Sequence, residues 1–343
     1  MSKPPSRIPA LDGLRAISIL MVMVSHTNGT HGAFKTSALS FVDLGRFGVR
    51  VFFVISGFLI TTLLLAEREK HGRISIKDFY IRRVFRIFPA FYAFLAVILV
   101  VQALGFITLM PGDALFAATY TTNFHEPRAW WLGHLWSLSV EEQFYLLWPA
   151  LMVFLGNRGA TFFAVASVLT APLMRVGVWV LLPAYRVYID EAFPTIFDAI
   201  ATGCVLASIR PTLTASTLYQ RFQSSPLFVL VPLAAVGAAA VPRVSFDLLV
   251  GQTITNVAIA LTIDWCVRRP ESAPVRFLEL RPFVWIGTLS YSLYLWQQPL
   301  LNRHSDAFAN RFPINLIGAF VLGSLSYYLI EKPVLRLRSR LKL

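Results

Sequence analysis

The chain has 343 residues, 56% of them hydrophobic and 14% charged, against roughly 25% charged in an ordinary soluble domain, and its mean hydropathy is +0.62. That balance does not fit a water-soluble globule, and 28 Phe, 11 Tyr and 8 Trp supply far more apolar surface than a disordered chain carries. The 31 Lys and Arg against 18 Asp and Glu give a formal charge of +13, which in a soluble protein would suggest a nucleic-acid partner. In a membrane protein, basic residues gathered in cytoplasmic loops give the same excess with no nucleic acid. Cys204 and Cys266 lie far apart in apolar segments, so neither a disulfide framework nor a zinc motif is available.

A spanning helix needs about 20 mostly apolar residues. Ten stretches of that kind follow in order, at 8–27, 47–66, 86–108, 136–155, 160–182, 193–210, 226–242, 246–266, 283–302 and 312–331, with 111–123 as a candidate re-entrant piece. The first follows Lys3 and Arg7 like a signal peptide, but Ser25-His26-Thr27-Asn28 after it is no small-residue cleavage site. The expected fold is therefore all-α, a polytopic transmembrane bundle of about ten helices. With no linker, repeat or soluble segment in view, residues 1–343 read as a single integral-membrane domain. With the N-terminus inside, 21 Lys and Arg fall on the cytoplasmic side and 8 on the other, which predicts both termini in the cytoplasm.

Ionisable side chains at membrane depth are costly unless paired or facing a cavity, so those within spans are the functional candidates. Asp12, Arg15 and His26 share the first span. Eleven residues of helix turn through about three full turns and rise about 16 Å, which places Arg15 and His26 on one face at different depths. Asp12, three residues before Arg15, can pair with it. The plain alternative is an interfacial ion pair and a hydrogen-bonded core histidine. Imidazole is nonetheless the side chain that can act as a base near neutral pH without a large perturbation.

The second constellation is Arg82-Arg83-Val84-Phe85-Arg86 at the start of the third span, where spacings of three and four make a guanidinium fork at the cytoplasmic boundary. Phosphate is its natural ligand, with topology signalling or anionic lipid contact as alternatives. The third is His134 to Tyr145, carrying Glu141 and Glu142 into the fourth span from outside. Adjacent carboxylates point about 100° apart on a helix, so one of them is expected in a given pocket, either serving the helix dipole or orienting His26. Trp130, Trp131, Trp136 and Trp148 read as belt and packing residues. Ser25, Ser56 and Ser139 are possible nucleophiles without a visible base.

Taken together these segments resemble the acyltransferase-3 family of bacterial membrane acyltransferases. The matching stretches are Leu11 to Ala16 leading to His26, Gly48 to Ile60, Arg82 to Pro89, His134 to Pro149, Leu289 to Trp296, and Ile330-Glu331-Lys332-Pro333. They occur in the family's order over nearly the whole chain. The resemblance implies an O-acyltransferase of the bacterial inner (cytoplasmic) membrane that moves an acyl group, usually acetyl from cytoplasmic acetyl-CoA, to a hydroxyl of a carbohydrate or glycolipid acceptor on the outer face. It implies His26 as catalytic base and Arg83 and Arg86, with Arg15, as acyl-donor ligands, while Glu142 and Glu331 match family carboxylates. No permanently bound cofactor or metal is implied; acyl-CoA is a substrate. Where many members carry histidine after Leu-Tyr-Leu-Trp, this chain has Gln297, which removes a titrating group there. The competing reading is a proton-coupled transporter of an anionic or sugar-linked substrate. Against it stand the missing internal duplication and an arginine fork placed at one boundary instead of mid-membrane.

Overall fold

The computed structural model describes residues 8–33 and 42–340; Lys3, Arg7, Lys35 and Lys342 of the charge count lie outside them. Among the described residues the regular structure is helical throughout. The long elements are α1 (Pro9–Thr27), α2 (Leu44–His71), α3 (Ile76–Ala103), α4 (Leu135–Leu181), α5 (Phe193–Ala215), α6 (Leu230–Ala239), α7 (Gln252–Arg268), α8 (Arg281–Leu300), α9 (Ile314–Ser326) and α10 (Lys332–Arg340). Seven stretches of the described residues are long and apolar enough to cross a membrane, or eight if the bent pair Thr217–Ser224 and Pro226–Ala239 makes one span. α4 runs 47 residues, about 70 Å at 1.5 Å per residue, twice a bilayer core. Gly156 breaks it, with φ 67° and ψ 179°, a backbone conformation glycine adopts freely. The segment 111–123 forms a short helix (Asp113–Ala118) and a 3₁₀ turn (Thr122–Phe124) against α3 and the start of α4.

The third span starts ten residues earlier than the apolar pattern suggests. Gly72 ends α2 in the left-handed region at φ 70°, and Ser75 caps α3 by accepting from the Asp78 amide at 3.3 Å. A cap serine followed by an acidic first turn is a strong helix start even in polar sequence. Glu67 ties the corner together, accepting from the Ser75 amide at 2.7 Å and from Arg82 at 2.8 Å. Arg83 and Arg86 therefore sit two to three turns inside α3, about 10–15 Å from its start.

Helices approach closely where glycine removes the side chain. A Cβ on Gly57 of α2 would lie 2.0 Å from the Ile200 carbonyl of α5, and one on Gly203 of α5 would lie 2.1 Å from the Val54 carbonyl of α2. One on Gly287 of α8 would lie 1.9 Å from the Asp12 carbonyl of α1. Such small-residue seams are how apolar helices gain contact where lipid offers no hydrophobic gradient. They fix α1 between α2 and α8, and α5 against α2. Gly203→Val is expected to prevent α2–α5 docking and to lower the thermal midpoint in detergent by many degrees. Gly237→Ala, with nothing within 4 Å, should leave it unchanged or slightly higher; differential scanning fluorimetry of the two variants makes the comparison.

Candidate active site

At the His26 end of α1 a cavity of about 850 Å³ is lined by His26, His134, Trp130, Trp131, Trp136, Gln298 and Arg303, with Asp43, Asp190 and Glu191 among its acidic residues. Three of the four tryptophans expected as belt residues thus face the cavity; Trp148 alone is buried in the core, donating to Thr61 at 2.9 Å. Most charges around the opening are paired: Arg46 bonds Asp190, and Arg128 bonds Glu191 and, at 3.1 Å, Glu126. Trp130 forms the wall beside the histidine, its ring edge-on to His26 at 5.4 Å and under Arg303 at 5.3 Å. Its position is locked to α8 by Trp130 Nε1 donating to the Gln298 carbonyl at 2.8 Å and by the Gln298 amide donating back to the Trp130 carbonyl at 2.5 Å.

His26 does not meet Glu142. Its Nδ1 lies 2.7 Å from Gln297 Oε1, and Gln297 is fully buried, its Nε2 donating to the Tyr294 carbonyl at 3.4 Å. That second bond sets which end of the amide faces His26. A carbonyl oxygen only accepts, so Nδ1 carries the proton and Nε2 keeps its lone pair. A neutral amide thereby does the orienting expected of a carboxylate, because α1 lies against α8 and not against α4 at this level. The sequence shows Gln297 as the loss of a titrating group; only packing shows what it holds. His134, fully buried close by, donates from Nε2 to the Leu295 carbonyl at 3.1 Å, and its Nδ1 has no partner among the described residues.

The remaining candidates gather deeper. Arg86 pairs with Glu331 at 2.6 Å, and Glu331 also accepts from Ser292 at 3.1 Å. Glu331 reaches this position because a π-turn, Tyr327–Glu331, joins α9 to α10, a local underwinding often found at functional positions. Arg83 lies over the rings of Tyr145 at 4.9 Å and Phe79 at 5.4 Å, with both Glu141 and Glu142 as electrostatic neighbours. Arg15 has Arg86, Asp12, Glu141 and Glu331 around it. The two adjacent carboxylates share one polar core through Arg83, despite pointing apart on their helix. Glu141 accepts from Ser56 Oγ at 2.6 Å, and the Tyr145 hydroxyl donates to the same Oγ at 3.3 Å, so Ser56 has the base that the sequence did not reveal.

The arginines do not act as one fork, because each has its own partners. Arg82 bonds Glu67, while Arg83 and Arg86 meet carboxylates from α4 and from the π-turn. A further buried network was not legible in sequence either: Arg175 bonds Asp198, which accepts from Asn256 at 3.1 Å, and Arg50 donates to Asn256 at 3.3 Å. It cross-links α2, α4, α5 and α7 away from the cavity.

A family profile for acyltransferase domains matches residues 8–330. The chain belongs to that acyltransferase family. It is similar to the O-acetyltransferase OatA of Staphylococcus aureus (strain NCTC 8325 / PS 47), 28% identical over 369 residues, which cover 96% of this chain and 57% of the relative. It is also similar to the peptidoglycan O-acetyltransferase OatA of Listeria monocytogenes, 27% identical over 95% of this chain and 56% of the relative. The chain spans a little over half the length of these curated relatives, and no solved structure matches it. The family match covers every element that carries the cavity, and covers the deep charge cluster as far as Ile330, one residue short of Glu331. Membership favours acyl transfer over transport on grounds independent of where the arginines lie.

In this chain, Gln297→Leu removes the acceptor that holds the Nδ1 proton of His26. Histidine-selective ¹⁵N NMR of wild-type protein is expected to show His26 as the Nδ1-H tautomer. The Leu variant should shift it toward a mixture or toward Nε2-H.

Proposed function

We propose that the protein is a multi-pass inner-membrane O-acetyltransferase that moves an acetyl group from cytoplasmic acetyl-CoA to a hydroxyl of a cell-envelope carbohydrate, peptidoglycan being the acceptor class that its relatives' names suggest. Ten crossings fit the proposal, with α4 crossing twice about Gly156, α8 counted as a span, and both termini in the cytoplasm as the 21 to 8 charge bias requires. The observation that carries the reading is the coincidence, on α1, of an oriented imidazole at one end and a buried arginine cluster about 16 Å below it. A pantetheine arm is of that order.

In this scheme the donor's thioester is threaded upward past Arg83, Arg86 and Arg15, and the sugar enters the tryptophan-walled cavity. His26 Nε2 takes the proton of the acceptor hydroxyl as its oxygen attacks the thioester carbonyl. Collapse of the tetrahedral adduct expels the thiolate, which takes the proton from His26, leaving ester and free thiol. Gln297 keeps the base in its productive tautomer throughout, and Glu141, Glu142 and Glu331 keep the arginines in place. Aromatic faces with hydrogen-bonding carboxylates around them suit a sugar ring, which offers C–H faces and hydroxyl edges.

A second route has an observation of its own. Ser56 donates to Glu141 at 2.6 Å, a nucleophile and base in contact, so an acetyl-Ser56 intermediate could carry the group between the two levels. Rapid-quench labelling with radioactive acetyl-CoA separates the routes: label retained on wild-type protein and lost in Ser56→Ala supports the relay, and unlabelled protein supports direct transfer.

His26→Ala is expected to insert normally and to lose about 10²- to 10⁴-fold in transfer, the range of a general base, measured as O-acetyl content of envelope glycan by NMR. Wild-type acetylation in that variant would overturn the base assignment. Arg83→Gln should raise the KM for acetyl-CoA by about tenfold, the scale of one charge-assisted hydrogen bond. Arg86→Gln is a poorer probe, because it leaves Glu331 buried and unpaired, a destabilisation of about 3–5 kcal/mol.

A further inference from the structure

α10 is amphipathic and basic, with Lys332, Arg336, Arg338 and Arg340 in nine residues, and it packs along the first half of α3. The register between them is set by the Arg86–Glu331 pair at 2.6 Å. From that contact the two helices run antiparallel toward the same end of the bundle. One turn along α3 brings Arg82, about 6 Å away, and two turns along α10 bring Arg338, about 10 Å away. The charged side chains that reach Arg338 are Arg86 and Arg82. Arg338 is half-buried, makes no ion pair among the described residues, and its Nε is buried there without a hydrogen-bond partner.

Three guanidinium groups therefore converge with two carboxylates, Glu67 and Glu331, which are already committed to Arg82 and Arg86. Like charges brought together in a partly desolvated place repel, and the helix that brings Arg338 there gains nothing visible in return from the protein. Planar forks with free N–H donors are the group that binds phosphate bidentately. We propose that Arg338, with Arg82 and Arg86, forms a phosphate-binding site where α10 meets α3, with Arg338 as its uncommitted ligand. Its occupant is a phosphate monoester or diester, supplied either by the nucleotide portion of an acyl-CoA donor or by an anionic lipid headgroup. The donor source rests on the function proposed above and would place the donor's phosphates at the Arg82–Arg86 end of the cluster, with Arg83 and Arg15 nearer its thioester.

The test uses the full chain in nanodiscs of phosphatidylcholine, where no anionic lipid competes. CoA binding is measured by isothermal titration for wild type, Arg338→Gln and Arg338→Lys, with pantetheine, which carries no phosphate, as control ligand. With the donor as source, Arg338→Gln weakens CoA about tenfold, Arg338→Lys less, and pantetheine binds all three equally. With lipid as source, CoA affinity is the same in all three, while native mass spectrometry after exchange into phosphatidylglycerol shows a retained anionic lipid on wild type that Arg338→Gln loses. Equal CoA affinity together with equal lipid retention overturns the site. A wild-type protein that binds no CoA overturns the donor scheme of the preceding section and leaves the lipid arm to decide the site.

Discussion

Charge buried among apolar helices is the constraint on which this structure turns. A single guanidinium or carboxylate at membrane depth costs several kcal/mol unless matched, so every helix that carries one must find a particular partner. Arg86 requires Glu331, Arg175 requires Asp198, and Arg210 requires Asp264, which it meets at 2.6 Å. Each pair joins two different helices, from the neighbours α4 and α5 to α3 and the turn before α10, and together they specify which apolar faces meet in a medium where apolarity by itself specifies nothing. The glycine seams at Gly57, Gly203 and Gly287 then let those helices approach to backbone contact.

The same constraint divides the molecule into two chemically different levels. The deep level is a cluster of Arg15, Arg83 and Arg86 with Glu141, Glu142 and Glu331, suited to holding something anionic. The other level is an open cavity most of whose charges pair around its opening and whose histidine is held by a neutral amide. A base flanked by a carboxylate is more readily protonated and so less available as a base; a base flanked by glutamine keeps its tautomer and gains no charge. That difference gives Gln297 a physical meaning in this chain that a missing histidine alone does not convey.

α1 is the element that joins the levels. It is uninterrupted from Pro9 to Thr27 and held on both sides by α2 and α8, so the separation between Arg15 and His26 is fixed by helix geometry and not by a hinge. Group transfer between fixed levels places the burden of reach on the substrate. A long flexible donor and a wide acceptor cavity are the two partners such a frame accommodates.

Sequence by itself determined the helical class, the membrane setting and the family, because all three rest on local quantities: apolar length, the face shared by Arg15 and His26, and ordered motifs. It also brought forward every residue of the deep cluster except Ser56's role. It started the third helix about ten residues late, since a cap at Ser75 extends the helix into polar residues that hydropathy assigns to a loop. Only the tertiary structure decided that Gln297 and not Glu142 holds His26, that Glu141 holds Ser56, that the tryptophans wall a cavity, and that Arg338 joins Arg82 and Arg86. Those are contacts between helices dozens to hundreds of residues apart, and no helical period carries information about which neighbour a face will meet. That is settled by the pairing of buried charges and the close approach of glycines.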